Sequence, residues 1–166
     1  EFLNSFREIE NDFKCYFIGG PSGTSGDDYF LELKENVKKL NLESHVEFLG
    51  NLHQSKIREL LNRSKLLIHT SEYETFGLVA IEAHSVGVPV VSINQGSFKE
   101  IIDNNINGYI AESFEDKDLN EFILKIFNDN QYADYVSKSA INSSKKYNWK
   151  DTSEKLNLLY QELKLR

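Results

Sequence analysis

Five short apolar runs recur along the chain, at residues 14–18, 46–49, 65–69, 88–93 and 109–111, most of them separated by a loop and a stretch of helical periodicity. Connections of this length suit crossovers between parallel strands and not tight hairpins, so the pattern predicts a Rossmann-like α/β fold, one parallel sheet with helices on both faces. Helices are expected over 2–10, over 29–40 with Asp27 as its cap, over 54–63 with Ile57, Leu60 and Leu61 inward, and over 78–86. From residue 115 onward the pattern is helical throughout. Leu119, Phe122, Ile123, Ile126 and Phe127 share one face, and a second helix carries Tyr132, Tyr135 and Val136. A last amphipathic helix over 155–165, opened by Trp149, places Leu156, Leu159, Tyr160 and Leu163 on one side. Parallel sheets bind ligands beyond the carboxyl ends of their strands. Gly19 and Gly20, Gly50 and Asn51, residues 71–77 and residues 94–97 all fall at such ends and should converge on one rim.

Composition narrows the classes of function. A chain of 166 residues, 40% hydrophobic and 12% aromatic, is expected to form a single domain over 1–166 with a sizeable core. A formal charge of −7 argues against a nucleic-acid surface, since phosphate backbones are held by surplus Lys and Arg. Cys15 is the only cysteine, which excludes an internal disulfide and a thiolate metal cage and fits a reducing, cytoplasmic setting. No apolar run of about 18 residues and no export signal is present. Peripheral contact with the inner membrane face stays open. His45, His53, His69 and His84 lack metal-ligand spacing, so no metal is expected, and they read mostly as surface or strand-end residues; His69, at a strand end beside residues 71–78, could touch a ligand, with a structural role the preferred reading. The glycines at 19–23 follow a strand but match neither phosphate-loop nor dinucleotide motif. The chain starts at Glu1 and contains no methionine, which suggests a piece of a longer protein.

The stretch from Ser71 to Ala83 concentrates the chemistry. A strand runs into a polar loop, Gly77 allows close backbone approach, and a helix apolar on almost every face follows. The unpaired N–H groups and partial positive charge at that helix start favour an anion such as a phosphate. Glu82, about one turn in, should lean back toward the loop. A carboxylate among Leu78, Val79, Ile81 and Val86 would cost roughly several kcal/mol unless polar groups satisfy it, and ligand hydroxyls would serve. The plain alternative is that Glu82 neutralises nearby backbone and Glu74 is a solvated loop residue.

The separation of Glu74 and Glu82 by seven residues resembles the E-x7-E pattern of retaining GT-B glycosyltransferases, in particular the group-4 family. The likeness extends further. Residues 17–20 (Phe-Ile-Gly-Gly) and 46–50 (Val-Glu-Phe-Leu-Gly) are similar to the family's strand-glycine segments. Residues 71–78 resemble its S-x-x-E-x-F-G-L core, and residues 82–91 its E-A-x-x-x-G-x-P-V-V run. Gly96 through Glu100 and residues 107–109 resemble later Gly-Gly-x-x-Glu and Asn-Gly segments, with Ser97 standing where the family has its second glycine.

The resemblance implies the C-terminal, donor-binding domain of a two-domain enzyme that moves a hexose from a UDP- or GDP-linked donor to a glycan, lipid or small molecule with retention. Glu74 would act at the transferred sugar. Glu82 would bond the ribose hydroxyls, and the backbone at Thr75, Phe76, Gly77 and Leu78 would meet the sugar and diphosphate. Gly19, Gly20, Gly50, Asn51 and Leu52 would border the base and diphosphate. The nucleotide-sugar is a substrate, and no cofactor is implied. The acceptor would sit on an N-terminal domain, and a central strand with basic residues would precede Glu1. The isolated chain is therefore expected to be inactive. A non-catalytic nucleotide-sugar-binding subunit and a GT-B epimerase or phosphorylase are the competing functions. A purely structural domain ranks last because it leaves Glu82 unexplained.

Overall fold

A computed structural model describes residues 6, 9, 13–21, 26–71, 74–94, 96–113 and 115–164. Its elements run β1 (Cys15–Ile18), α1 (Gly26–Lys39), β2 (Val46–Gly50), α2 (Gln54–Leu61), β3 (Leu67–His69), α3 (Leu78–Ser85), β4 (Val90–Ile93), α4 (Phe98–Ile101), β5 (Gly108–Ala111), α5 (Lys117–Asn128), α6 (Asn130–Ser144) and α7 (Trp149–Lys164). All strand pairs are parallel, as the crossover lengths require.

Among the described residues the parallel strands form two hydrogen-bonded sheets where the strand pattern predicts one. Strand β1 pairs with β2, and β3, β4 and β5 form a separate sheet in that order. Cys15 stands opposite Val46 and Phe17 opposite Phe48 in the first. Leu67 stands opposite Val90, and Val90 opposite Gly108, in the second. No hydrogen-bonded ladder joins β1 to β3, yet both sheets cover one core. Cys15, Phe17, Val46, Phe48 and Ile68 pack against the same cluster as Val91, Ala111, Leu119, Phe122, Ile123 and Ile126. Shared side-chain packing holds the two sheets on one interior without shared backbone bonds.

Helices do cover both faces, and β4 makes this plain. Val90 and Val91 are both fully buried, but consecutive strand residues point to opposite sides. Val91 joins the cluster with Val37 of α1, Leu119 of α5 and Val136 of α6. Val90 joins the other, with Leu61 of α2, Ala80 and Ala83 of α3, and Phe98 and Ile101 of α4. Near-continuous apolar strands are what a sheet buried on both sides needs.

Several boundaries differ from the expectations for local reasons. Helix α1 starts at Gly26, which places Asp27 inside the first turn and not at the cap, where its charge still complements the helix dipole. Strand β4 starts after Pro89, which lacks an N–H for the ladder, while the Pro89 carbonyl accepts from Leu67 N–H at 3.0 Å. Strand β3 is correspondingly short. The helix expected over 2–10 lies outside the described residues except for Phe6 and Ile9, both buried beside Phe13. Helix α7 begins at Trp149 and contains no buried residue, so its apolar side (Leu156, Leu159, Tyr160, Leu163) is exposed and not packed on the core. Among the described residues no helix is long and apolar enough to cross a membrane.

Candidate functional site

Parallel pairing puts the carboxyl ends of β1 and β2 on one side of their sheet and those of β3, β4 and β5 on one side of theirs, and the Gln54–Glu82 hydrogen bond brings the loop after β2 to the helix that follows β3. At the rim of the first sheet Gly19 N–H donates to the Gly50 carbonyl at 2.8 Å, and the Asn51 side chain lies against Gly20. Leu52, half-buried, continues into α2. These expected contact residues are thus brought together.

The β3–α3 junction is built around Glu74. Gly77 has φ of 80°, in the left-handed region, and any Cβ there would lie 2.8 Å from Ile101 Cδ1. This turn aims three successive backbone N–H groups at one point. Thr75, Phe76 and Gly77 donate to Glu74 Oε1 at 2.8, 3.1 and 3.0 Å. The donors expected to receive a sugar or diphosphate are here satisfied by the chain's own carboxylate. The N–H groups of Gly77 and Phe76 foremost hold the Glu74 carboxyl below its usual range, so it is ionised and can only accept hydrogen bonds. Glu74 is not the solvated loop residue of the plain alternative.

The second oxygen of Glu74 meets His69, for which a structural role was the preferred expectation and a ligand contact the alternative. His69 Nε2 lies 3.5 Å from Glu74 Oε2. The His69 ring packs edge-on to Phe98, centroids 4.8 Å apart, and its Nδ1 is buried without a hydrogen-bond partner. Burial lowers the His69 pKa, with Glu74 opposing that effect. From the other side the loop after β4 presses on the same residue: a Cβ on Gly96 would fall 2.1 Å from the Glu74 carbonyl oxygen. Neighbouring Ser97 buries its Oγ without a hydrogen-bond partner.

Glu82 corrects the sequence argument. Helix α3 is apolar in sequence, but only Ala80, Ala83 and His84 are buried, and Leu78 and Glu82 face outward. The Glu82 carboxylate carries no burial cost to be compensated. It is oriented instead by Gln54, whose Nε2 donates to Glu82 Oε1 at 2.9 Å. Gln54 is the first residue of α2, so this bond ties the Gly50–Asn51–Leu52 loop to α3. Nothing in the sequence marks Gln54, which reads as an ordinary polar residue at a helix start. His84 is also corrected. It does face away from Glu82, but it is buried and not at the surface, with Nδ1 3.3 Å from Ser143 Oγ of α6. Burial pushes its pKa down to about 4.

Among the described residues no group of three or more His, Cys, Asp or Glu is placed to hold a metal ion. A surface concavity of about 520 Å³ along α5, lined by Lys117, Glu121 and Lys125, shares no residue with the rim.

Parallel sheets flanked by helices, with a rim built this way, form the α/β fold of the C-terminal domains of GT-B glycosyltransferases. The chain belongs to the family described as glycosyl transferases group 1, whose model matches residues 1–143. It is 36% identical over 115 residues to the N-acetyl-alpha-D-glucosaminyl L-malate synthase of Bacillus anthracis, covering 68% of this chain and 28% of that protein. Anabaena HepE, solved in complex with UDP, superposes with a TM-score of 0.83 at 24% identity, covering 97% of this chain and 44% of HepE. The C-terminal domain of a group 1 family glycosyl transferase (LpcC) from Francisella tularensis superposes at 0.75 with 21% identity, covering 87% of this chain and 74% of that domain. The chain thus spans less than half the length of the curated relatives it matches first.

Proposed function

We propose that this chain is the donor-binding domain of a glycosyltransferase that takes a hexose from a nucleoside-diphosphate sugar and passes it to an acceptor held by a further domain, with retention. The observation that carries this reading is Glu74, an ionised carboxylate clasped by the N–H groups of Thr75, Phe76 and Gly77, on the same rim as the outward-facing Glu82.

The chemistry follows from the protonation state. A carboxylate held by three N–H groups is a poor proton donor, so Glu74 serves by accepting hydroxyl hydrogen bonds from the transferred sugar and by stabilising positive charge that develops at its anomeric carbon. The partial positive charge at the start of α3 suits an anion, and the donor's phosphates would lie near it while Oε1 keeps its three N–H groups. Glu82, with one oxygen on Gln54 and the other outward, would accept from a ribose. Gly19, Gly20, Gly50 and Asn51 leave backbone open on the adjoining rim for the base and diphosphate; no side-chain or backbone atom comes near a Cβ built on Gly19 or Gly50.

The helix dipole supplies only about half a charge toward the leaving diphosphate, so the chain alone should transfer no sugar. A central strand and basic loop contributed from outside this chain would complete the site, a reading supported by the absence, among the described residues, of a ladder joining the β1–β2 and β3–β4–β5 sheets and by the partial coverage of the relatives. Uridine is the first base to test, since HepE is solved with UDP and with UDP-glucose.

Calorimetric titration of UDP- and GDP-sugars into the folded chain and its Glu82→Ala variant tests the reading. One donor should bind, and the variant should bind it at least about tenfold more weakly, the loss expected for a hydrogen bond to a charged group. If a folded chain binds none of the panel, and a longer protein containing it neither binds nor uses one, the proposal is wrong.

A further inference from the structure

We propose that His69 is a positioning residue for Glu74: its Nε2–H holds Glu74 Oε2 while the backbone holds Oε1, so that the carboxylate meets the donor sugar in one orientation. The inference rests on the donor-binding reading for its functional consequence, though the contact itself stands on geometry.

Four observations converge. The three backbone N–H groups all reach the same oxygen, Oε1, and leave the carboxylate free to rotate about that anchor unless Oε2 is held too. His69 Nε2 is 3.5 Å from Oε2, at the long limit of a hydrogen bond and close enough for a shift of a few tenths of an ångström to make one. The ring sits on the last residue of β3, and Phe98, fully buried, packs against it, so the donor is mounted on a rigid element. His69 Nδ1 is buried without a partner. A proton on that nitrogen would be a buried, unsatisfied N–H, whereas a proton on Nε2 points at a carboxylate. The geometry therefore selects the Nε2–H tautomer.

This arrangement has a consequence that an ion pair would not have. A neutral imidazole fixes Glu74 without neutralising it, and the full negative charge stays available to the sugar. The burial that disfavours imidazolium works in the same direction.

The test has two arms. Nitrogen-15 NMR of the histidine rings should find His69 in the Nε2–H tautomer, and Glu74→Gln should shift its ring resonances and lower its titration midpoint, because the negative partner is gone. Donor titration should show His69→Phe, which keeps ring packing but lacks the N–H, binding about tenfold more weakly. His69→Gln, whose amide nitrogen approximates Nε2, should restore most of the affinity. An Nδ1–H tautomer, or a ring insensitive to Glu74→Gln, overturns the proposal. So does a folded His69→Phe variant that binds donor as the wild type does. If the wild-type chain binds no donor at all, it is the donor reading that fails, and the NMR arm still decides whether His69 holds Glu74.

Discussion

Replacing Gly96 by alanine should disturb Glu74 more than its place two loops away in the sequence suggests. Gly96 has φ of 52°, which a β-carbon tolerates at a cost of about 1–2 kcal/mol. The larger effect is steric. A Cβ would stand 2.1 Å from the Glu74 carbonyl oxygen, where real Cβ contacts are not found below 3.0 Å, so the two backbones must part by roughly 0.9 Å. The obstacle is main chain, and no rotamer change relieves it. Gly50→Ala is the matched control, since φ is 65° there and nothing lies within 4 Å of the added atom. We expect urea unfolding to show Gly50→Ala losing about 1–2 kcal/mol and Gly96→Ala clearly more. A misplacement near 1 Å can cost a catalytic constellation about 100-fold, so sugar transfer by the longer enzyme should fall on that scale. Donor affinity should fall with it. A Gly96→Ala protein as stable as Gly50→Ala, binding donor like the wild type, would refute the reasoning.

Acid should act through His84. Its folded pKa, near 4, lies below the unfolded value of 6.5, so the unfolded chain binds the extra proton first as pH falls. The stability is fully present above pH 6.5 and is lost between there and pH 4, by about 2 kcal/mol near pH 5. His84→Leu should flatten that part of the pH profile in denaturant titrations, and an unchanged slope would assign the acid sensitivity elsewhere. Cys15, pushed up to about 12 by burial, should resist thiol-disulfide reagents at pH 8 in the folded chain and react once urea unfolds it. Equal rates in both states would contradict its burial.

The alternation of apolar runs with helical stretches determined the parallel α/β architecture, because period and connection length are local properties that survive any packing. The rim was equally legible: loops after parallel strands can only emerge on one side of their sheet. Gly77 could be singled out for a similar reason, since a turn-forming glycine at a helix start acts over a few residues of backbone, whereas Glu74 stood out only through its spacing from Glu82 and the resemblance that spacing carries. What lay beyond reach depended on what faces what. Helix α3 is apolar by composition, yet its position at the edge of the second cluster buries Ala80, Ala83 and His84 and leaves Leu78 and Glu82 outside. The same placement turned Glu82 from a buried charge into one steered by Gln54, 28 residues away. Helix α7 shows the converse, an amphipathic pattern whose apolar side meets no core in this chain. The contact of His69 with Glu74 depends on how the β3–α3 turn folds back on its own strand, and the pressure of Gly96 on the Glu74 backbone joins two different loops. Periodicity records which residues share a face, whereas only the packed chain sets which face meets another, and burial, ionisation and the aim of each carboxylate follow from that meeting.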